Sequence, residues 1–165
     1  METAYYLAAA IAIVATVLVI TATNAVHALL YLIVSLLAVA LIFYVLGAPF
    51  AAALEVIVYA GAIMVLFIFV MMMLNLSKAA TAQEQAWLAA QSWIGPSVLA
   101  LMLLVELIYV LAGVGDISGT HAVDAKAVGG LLFGPYLLGV ELASLLLLAA
   151  LVGAYHLGWR DTRDG

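Results

Sequence analysis

The chain has 165 residues, of which 70% are hydrophobic and 8% charged, and its mean hydropathy is +1.34. A soluble domain of this length cannot bury so much apolar surface, so the composition indicates an integral membrane protein and excludes a soluble enzyme. The chain has no cysteine, which excludes disulfides and thiolate metal sites, and its net charge of -5 comes without a basic patch of the kind that binds nucleic acid.

Five apolar segments are each long enough to cross a bilayer as a helix. We therefore predict an all-α membrane protein with five transmembrane helices, forming a single integral membrane domain over 1–165. The predicted helices lie at about 4–21, 26–46, 51–74, 93–112 and 135–157.

The connections between these helices differ in length and polarity. The first two turns are very short, and the second contains Gly47 and Pro49, which end a helix. Two longer polar segments follow, at 75–91 and 113–130. Pro96 and Pro135 are predicted in the first turns of the fourth and fifth helices, where a missing N–H does no harm.

The few basic residues favour one orientation in the membrane. With five spans, Lys78 falls on the same side as Arg160 and Arg163, whereas Lys126 falls on the other side. Because positive charge is enriched on the cytoplasmic side, this bias predicts an outside N-terminus and a cytoplasmic C-terminus.

Three acids lie within the predicted spans: Glu55, Glu106 and Glu141. Counted at about 1.5 Å per residue, all three lie in the outer half of the membrane, so they are candidates for a shared path for protons or water. The alternative is that each acid is protonated and makes a single hydrogen bond between helices.

The third helix has the most specific pattern, EVIVYAGAIMVLF at 55–67. This run closely resembles the third helix of the J subunits of proton-pumping NADH:quinone oxidoreductase, respiratory complex I, whose mitochondrial counterpart is NADH dehydrogenase subunit 6. NAVHALLY at 24–31 and GPYLLGVELAS at 134–144 support the resemblance, which covers nearly the whole chain. Ala25 departs from the family pattern, which has a proline there, and Glu106 belongs to no family pattern.

The resemblance implies a specific role for the third helix. In this family the helix carries a π-bulge around the residues that match Tyr59 to Val65, and its conversion to a regular α-helix is thought to gate a hydrated path. The implied gating residues are Tyr59, Gly61, Met64 and Val65, with Glu55 and Glu141 as polar support. The residues by themselves allow an alternative, a plain helix with a small-residue packing patch at Gly61.

The resemblance also implies the setting. We expect a multi-pass subunit in the bacterial inner membrane that neighbours the K, A, H and N membrane subunits and contacts lipid. The chain itself is expected to bind no redox cofactor and to have no isolated activity, whereas the complex carries FMN, iron–sulfur clusters and quinone.

Two other functions compete with this interpretation. The nearest alternative is a homologous subunit of a cation/proton antiporter or of a membrane-bound hydrogenase. The chain would also suit a purely structural subunit that seals a membrane arm, in which case all three intramembrane acids would be inert.

Overall fold

The computed structural model describes residues 2–74, 90–113 and 122–158, and most of these residues are helical. Its α-helices are α1 (Glu2–Thr21), α2 (Ala25–Val45), α3 (Pro49–Leu54), α4 (Met64–Leu74), α5 (Ala90–Leu111), α6 (Ala125–Leu132) and α7 (Leu137–Gly158). A π-helical segment, π1 (Glu55–Ile63), joins α3 to α4. We call the continuous helix formed by α3, π1 and α4 the third span.

Five of these helical stretches are long and apolar enough to cross a membrane: Glu2–Thr21, Ala25–Val45, Pro49–Met71, Trp93–Leu111 and Leu137–Gly158. This confirms the all-α fold with five spans and a π segment in the third. Helices suit such a chain because they satisfy every backbone N–H and C=O internally, where lipid offers no partner. The structure divides into two units, 1–123 and 124–165, which are described separately; a single domain over 1–165 stays a prediction.

In the first unit, α1 and α2 form a tight antiparallel pair. The turn between them is fixed by Asn24, whose Oδ1 accepts a hydrogen bond from the Val26 N–H at 2.9 Å. Small residues recur along one face of α1, where Ala8 and Ala15 are fully buried, so the two backbones can approach closely. The Thr16 and Ser35 hydroxyls add a hydrogen bond of 2.8 Å across this interface.

The turn before the third span needs a glycine. Gly47 has a φ of 84°, a left-handed conformation that residues with a Cβ rarely adopt. Pro49 follows at the first position of α3, as expected for a residue without an N–H. The Val123 N–H donates to the Gly47 carbonyl at 2.8 Å, which fastens the end of the first unit to this turn.

The helix that contains the fourth span begins earlier than the sequence predicts. Because α5 starts at Ala90, Pro96 lies inside the helix and not in its first turn. Next to it, Gly95 has no side chain, and the Tyr31 hydroxyl of α2 occupies the space that a Cβ would fill. Most of the predicted loop over 75–91 lies outside the described residues.

The second unit contains a helix that the sequence prediction assigned to a loop. This helix, α6, includes the last residues of the predicted polar segment 113–130. Asp124 caps α6, because its side chain accepts a hydrogen bond from the Ala127 N–H at 2.8 Å. Pro135 lies in the turn between α6 and α7 and not in the helix, which starts at Leu137. The predicted C-terminal tail beyond Gly158 lies outside the described residues.

Candidate functional site

The third span changes its helical geometry twice. At Glu55 the backbone N–H still donates to the Ala51 carbonyl four residues earlier, as in an α-helix. At Met64 the N–H donates to the Tyr59 carbonyl five residues earlier, the bond that defines a π-helix. The nine residues of π1, Glu55–Ile63, form a wider helix than the α-helices on either side.

Gly61 lies where the π geometry leaves little space. A Cβ atom built on Gly61 would be 3.1 Å from the Val56 carbonyl oxygen, five residues earlier in the same helix. That is tighter than an ordinary van der Waals contact, and the atom it meets is backbone that cannot rotate away. Glycine at this position therefore suits the π form better than any residue with a side chain.

The predicted gating residues do not share one environment. Met64 is only 2% exposed, and between Ala52 and Met71, all of which the structure describes, it is the one buried residue. Tyr59 and Val65 are 51% and 47% exposed and face away from the other helices of the first unit. Met64 thus anchors the end of π1, while Tyr59 and Val65 are available to lipid or to a partner chain.

An apolar cavity of about 560 Å³ lies beside π1. Val56 and Ile57 of π1 form part of one wall, and Leu103, Leu104 and Leu107 of α5 form part of another. The cavity gives the side chains of π1 space on the side where helices would otherwise be closely packed.

The three intramembrane acids occupy different surroundings. Glu55 is half-buried at the first position of π1. Glu106 is only 4% exposed and lines a second cavity, between α1 and α5. Glu141 is exposed on α7 in the second unit, where its backbone carbonyl accepts a hydrogen bond from the Ser144 hydroxyl at 2.8 Å. A shared path among the three stays a prediction.

Sequence reasoning missed the surroundings of Glu106. The cavity of about 440 Å³ beside it is also lined by Thr3 of α1 and Tyr109 of α5. Neither Thr3 nor Tyr109 is among the candidate site residues that the sequence predicts. The spacing of Glu106 and Tyr109, three residues apart on one helix face, was the one available signal. In the described ranges, no group of three or more His, Asp or Glu residues could hold a metal ion.

Comparison with known proteins identifies the family. The sequence family described as NADH-ubiquinone/plastoquinone oxidoreductase chain 6 matches residues 15–157, which include all of π1 and α5. The chain belongs to this family. Its membership confirms the resemblance that the third predicted helix indicates.

Several known proteins align with this chain over most or all of their length. NADH-quinone oxidoreductase subunit J of Pseudomonas aeruginosa is 64% identical over 166 residues, covering 99% of this chain and 100% of the relative. The protein of the same name in Escherichia coli is 60% identical, covering 100% of this chain and 90% of the relative. In Buchnera aphidicola from Schizaphis graminum the identity is 53%, covering 96% and 98%.

Proposed function

We propose that this chain is subunit J of a bacterial proton-translocating NADH:quinone oxidoreductase and helps to couple quinone reduction to proton movement. Membership of the chain 6 family and the full-length match to proteins named subunit J support the assignment. The chain would contribute no redox chemistry of its own, since FMN, the iron–sulfur clusters and the quinone site would belong to the rest of the complex.

The coupling element in this proposal is π1, which would convert between the π form and a regular α-helix. Removing one extra residue from a helical turn rotates everything beyond it by about 100°, one residue's share of a 3.6-residue turn. That rotation would move Val65 to another side of the third span and open or close a hydrated path. Glu55, Glu106 and Glu141 are the acids proposed to serve this path.

The single observation that carries the gating proposal is the π geometry at Glu55–Ile63 with a glycine at its tightest point. Such segments concentrate at functional sites, because they cost hydrogen-bond geometry without adding packing. The cavity beside Val56 and Ile57 supports the proposal, since it leaves space for side chains displaced by a rotation.

The partners and orientation belong to the same proposal. The K, A, H and N membrane subunits would be the neighbours of this chain in the bacterial inner membrane, with its N-terminus outside. The exposure of Tyr59, of Val65 and of every side of α7 is consistent with surfaces that other subunits or lipid cover in the complex.

The test replaces Gly61 by alanine and by valine in the assembled complex. In the π form the Cβ of an alanine would meet the Val56 carbonyl oxygen at 3.1 Å, and overpacking of this kind typically costs about 1–3 kcal/mol. Gly61→Ala should therefore shift the balance toward the α form by about fivefold or more, and Gly61→Val should act more strongly. We expect slower quinone-coupled proton pumping, while NADH oxidation with an artificial acceptor is unchanged.

The matched control is Gly153→Ala in α7, where nothing lies within 4 Å of an added Cβ. This variant should pump like the wild type. Normal pumping by Gly61→Val in a fully assembled complex would contradict the gating proposal and favour a structural subunit. The antiporter and hydrogenase alternatives are tested by identifying the subunits that copurify with this chain.

A further inference from the structure

Glu106 is a buried acid without a hydrogen-bond partner. Its side chain is 4% exposed, and neither carboxyl oxygen makes a hydrogen bond to any part of the chain that the structure describes. The backbone of Ala8 in α1 approaches the carboxyl group without acceptable hydrogen-bond geometry. Because a buried polar group without a partner is costly, such an arrangement calls for an explanation.

No basic residue on the neighbouring helices can pair with Glu106. The helices packed against α5 include α1 and α2, and neither they nor α5 contain a lysine or an arginine. Their titratable groups are Glu2, Tyr5, Tyr6, His27, Tyr31, Tyr44 and Tyr109. On α1, α2 and α5 an ionised carboxylate would therefore have no lysine or arginine as a counter-charge, so Glu106 is expected to carry a proton at rest.

The cavity beside Glu106 lies near one end of both α1 and α5. It lies between the beginning of α1 and the end of α5, and its lining includes the hydroxyl-bearing residues Thr3 and Tyr109. Thr3 is the second residue of α1, and Tyr109 lies two residues before the end of α5. At about 440 Å³ the cavity has room for several waters, and in its otherwise apolar lining Thr3, Glu106 and Tyr109 are the polar residues that could bind them.

We propose that Glu106 is an exchangeable proton-binding site, reached by water through the cavity lined by Thr3 and Tyr109 from the side of the membrane where α1 begins. The proton would reside on a carboxyl oxygen of Glu106, and waters bound to the two hydroxyls would carry it to and from the surface. This rests on the proposed proton path and adds to it a specific entry point, separate from π1.

Proton loss would have a structural consequence at the contact between α1 and α5. The carboxylate would lie against α1 at Ala4 and Ala8, which are buried and offer no charge. Turning the side chain into the cavity would bring it to water and to the Tyr109 hydroxyl. Deprotonation would thus favour a rearranged Glu106 side chain and a looser contact between the two helices.

Infrared spectroscopy of the purified native complex tests the proposal. A neutral carboxylic acid has a carbonyl stretching band that an ionised carboxylate and a glutamine amide both lack. The difference spectrum between the wild type and Glu106→Gln should contain this band. It should shift on transfer into D₂O and disappear as pH rises. The matched control, Glu55→Gln, should leave the Glu106 band in place.

Variants of the cavity decide whether the proton uses this route. Thr3→Val and Tyr109→Phe each remove one hydroxyl, and each should slow the D₂O shift of the Glu106 band without removing the band. No band at any pH would mean that Glu106 is always ionised, and the proposal would fail. A band that never exchanges, or that exchanges at the wild-type rate in both variants, would also overturn it. None of these readouts depends on Gly61, so gating can fail while this site stands.

Discussion

Polar side chains within the spans differ in whether they have a hydrogen-bond partner. The Thr16 and Ser35 hydroxyls satisfy each other across the interface of α1 and α2. Glu106, in contrast, is buried with both carboxyl oxygens unpaired in the described structure. Because lipid offers no hydrogen bonds, the first arrangement stabilises the fold, whereas the second retains a group that can still take up or release a proton.

Glu55 and Glu141 are the other two acids within the spans. As a prediction, Glu55→Gln and Glu141→Gln in the assembled complex should each lower quinone-coupled proton pumping more than they lower the amount of complex. Glutamine keeps the size and hydrogen-bonding capacity of the side chain but has no ionisable proton near neutral pH. Pumping is measured in membrane vesicles and the amount of complex in native gels. Wild-type rates in both variants would reduce these acids to packing roles.

At the scale of the element, backbone spacing decides which helices can approach. The third span accommodates π1 because Gly61 has no Cβ to meet the Val56 carbonyl. In the same way, α2 and α5 approach because Gly95 leaves room for the Tyr31 hydroxyl. The first glycine permits an unusual helix, and the second permits a close contact between ordinary helices.

The Gly95 contact leads to a prediction about assembly. Gly95→Ala places a methyl group where the Tyr31 hydroxyl lies, and overpacking of this kind typically costs about 1–3 kcal/mol. We expect less assembled complex and a lower temperature of dissociation, measured by native gels after heating. The double variant Tyr31→Phe with Gly95→Ala should recover part of the loss, since it removes the colliding oxygen. An equal loss in the single and double variants would contradict this account.

The whole chain exposes more apolar surface than its own helices cover. None of α7 is buried, and most of α4 and π1 is exposed, including Phe67, Phe69 and Met73. Lipid can solvate such surfaces, but the half-buried Glu55 at the start of π1 favours protein or water beside it. The chain is therefore suited to work inside a larger assembly.

Affinity purification can identify the subunits of that assembly. An affinity-tagged form of the chain, expressed at its native level and purified in mild detergent, should bring with it subunits that contain FMN and iron–sulfur clusters. The measurements are absorbance and fluorescence spectra together with mass spectrometry of the copurified chains. A tagged chain with shifted tag position serves as the control for tag interference. Copurification with antiporter subunits, and without flavin, would replace the proposed function.

The sequence by itself determined the five spans, because a bilayer permits few structures other than a continuous helix for such apolar runs. A family resemblance at 55–67, and not helix propensity, also predicted a π segment in the third span, although π1 begins and ends a few residues earlier than the predicted bulge at 59–65. The sequence prediction placed α6 in a loop, although Asp124 before Ala125 is a typical N-terminal cap that could have indicated the helix.

Only the tertiary structure decided which faces meet. Thr3 and Glu106 are far apart in the chain, yet antiparallel packing of α1 and α5 brings them to one cavity. Hydropathy cannot predict this, because spans that are apolar on every side give no signal for how each helix is rotated about its axis. Close contacts between small residues set that rotation, and they exist only once the helices have packed.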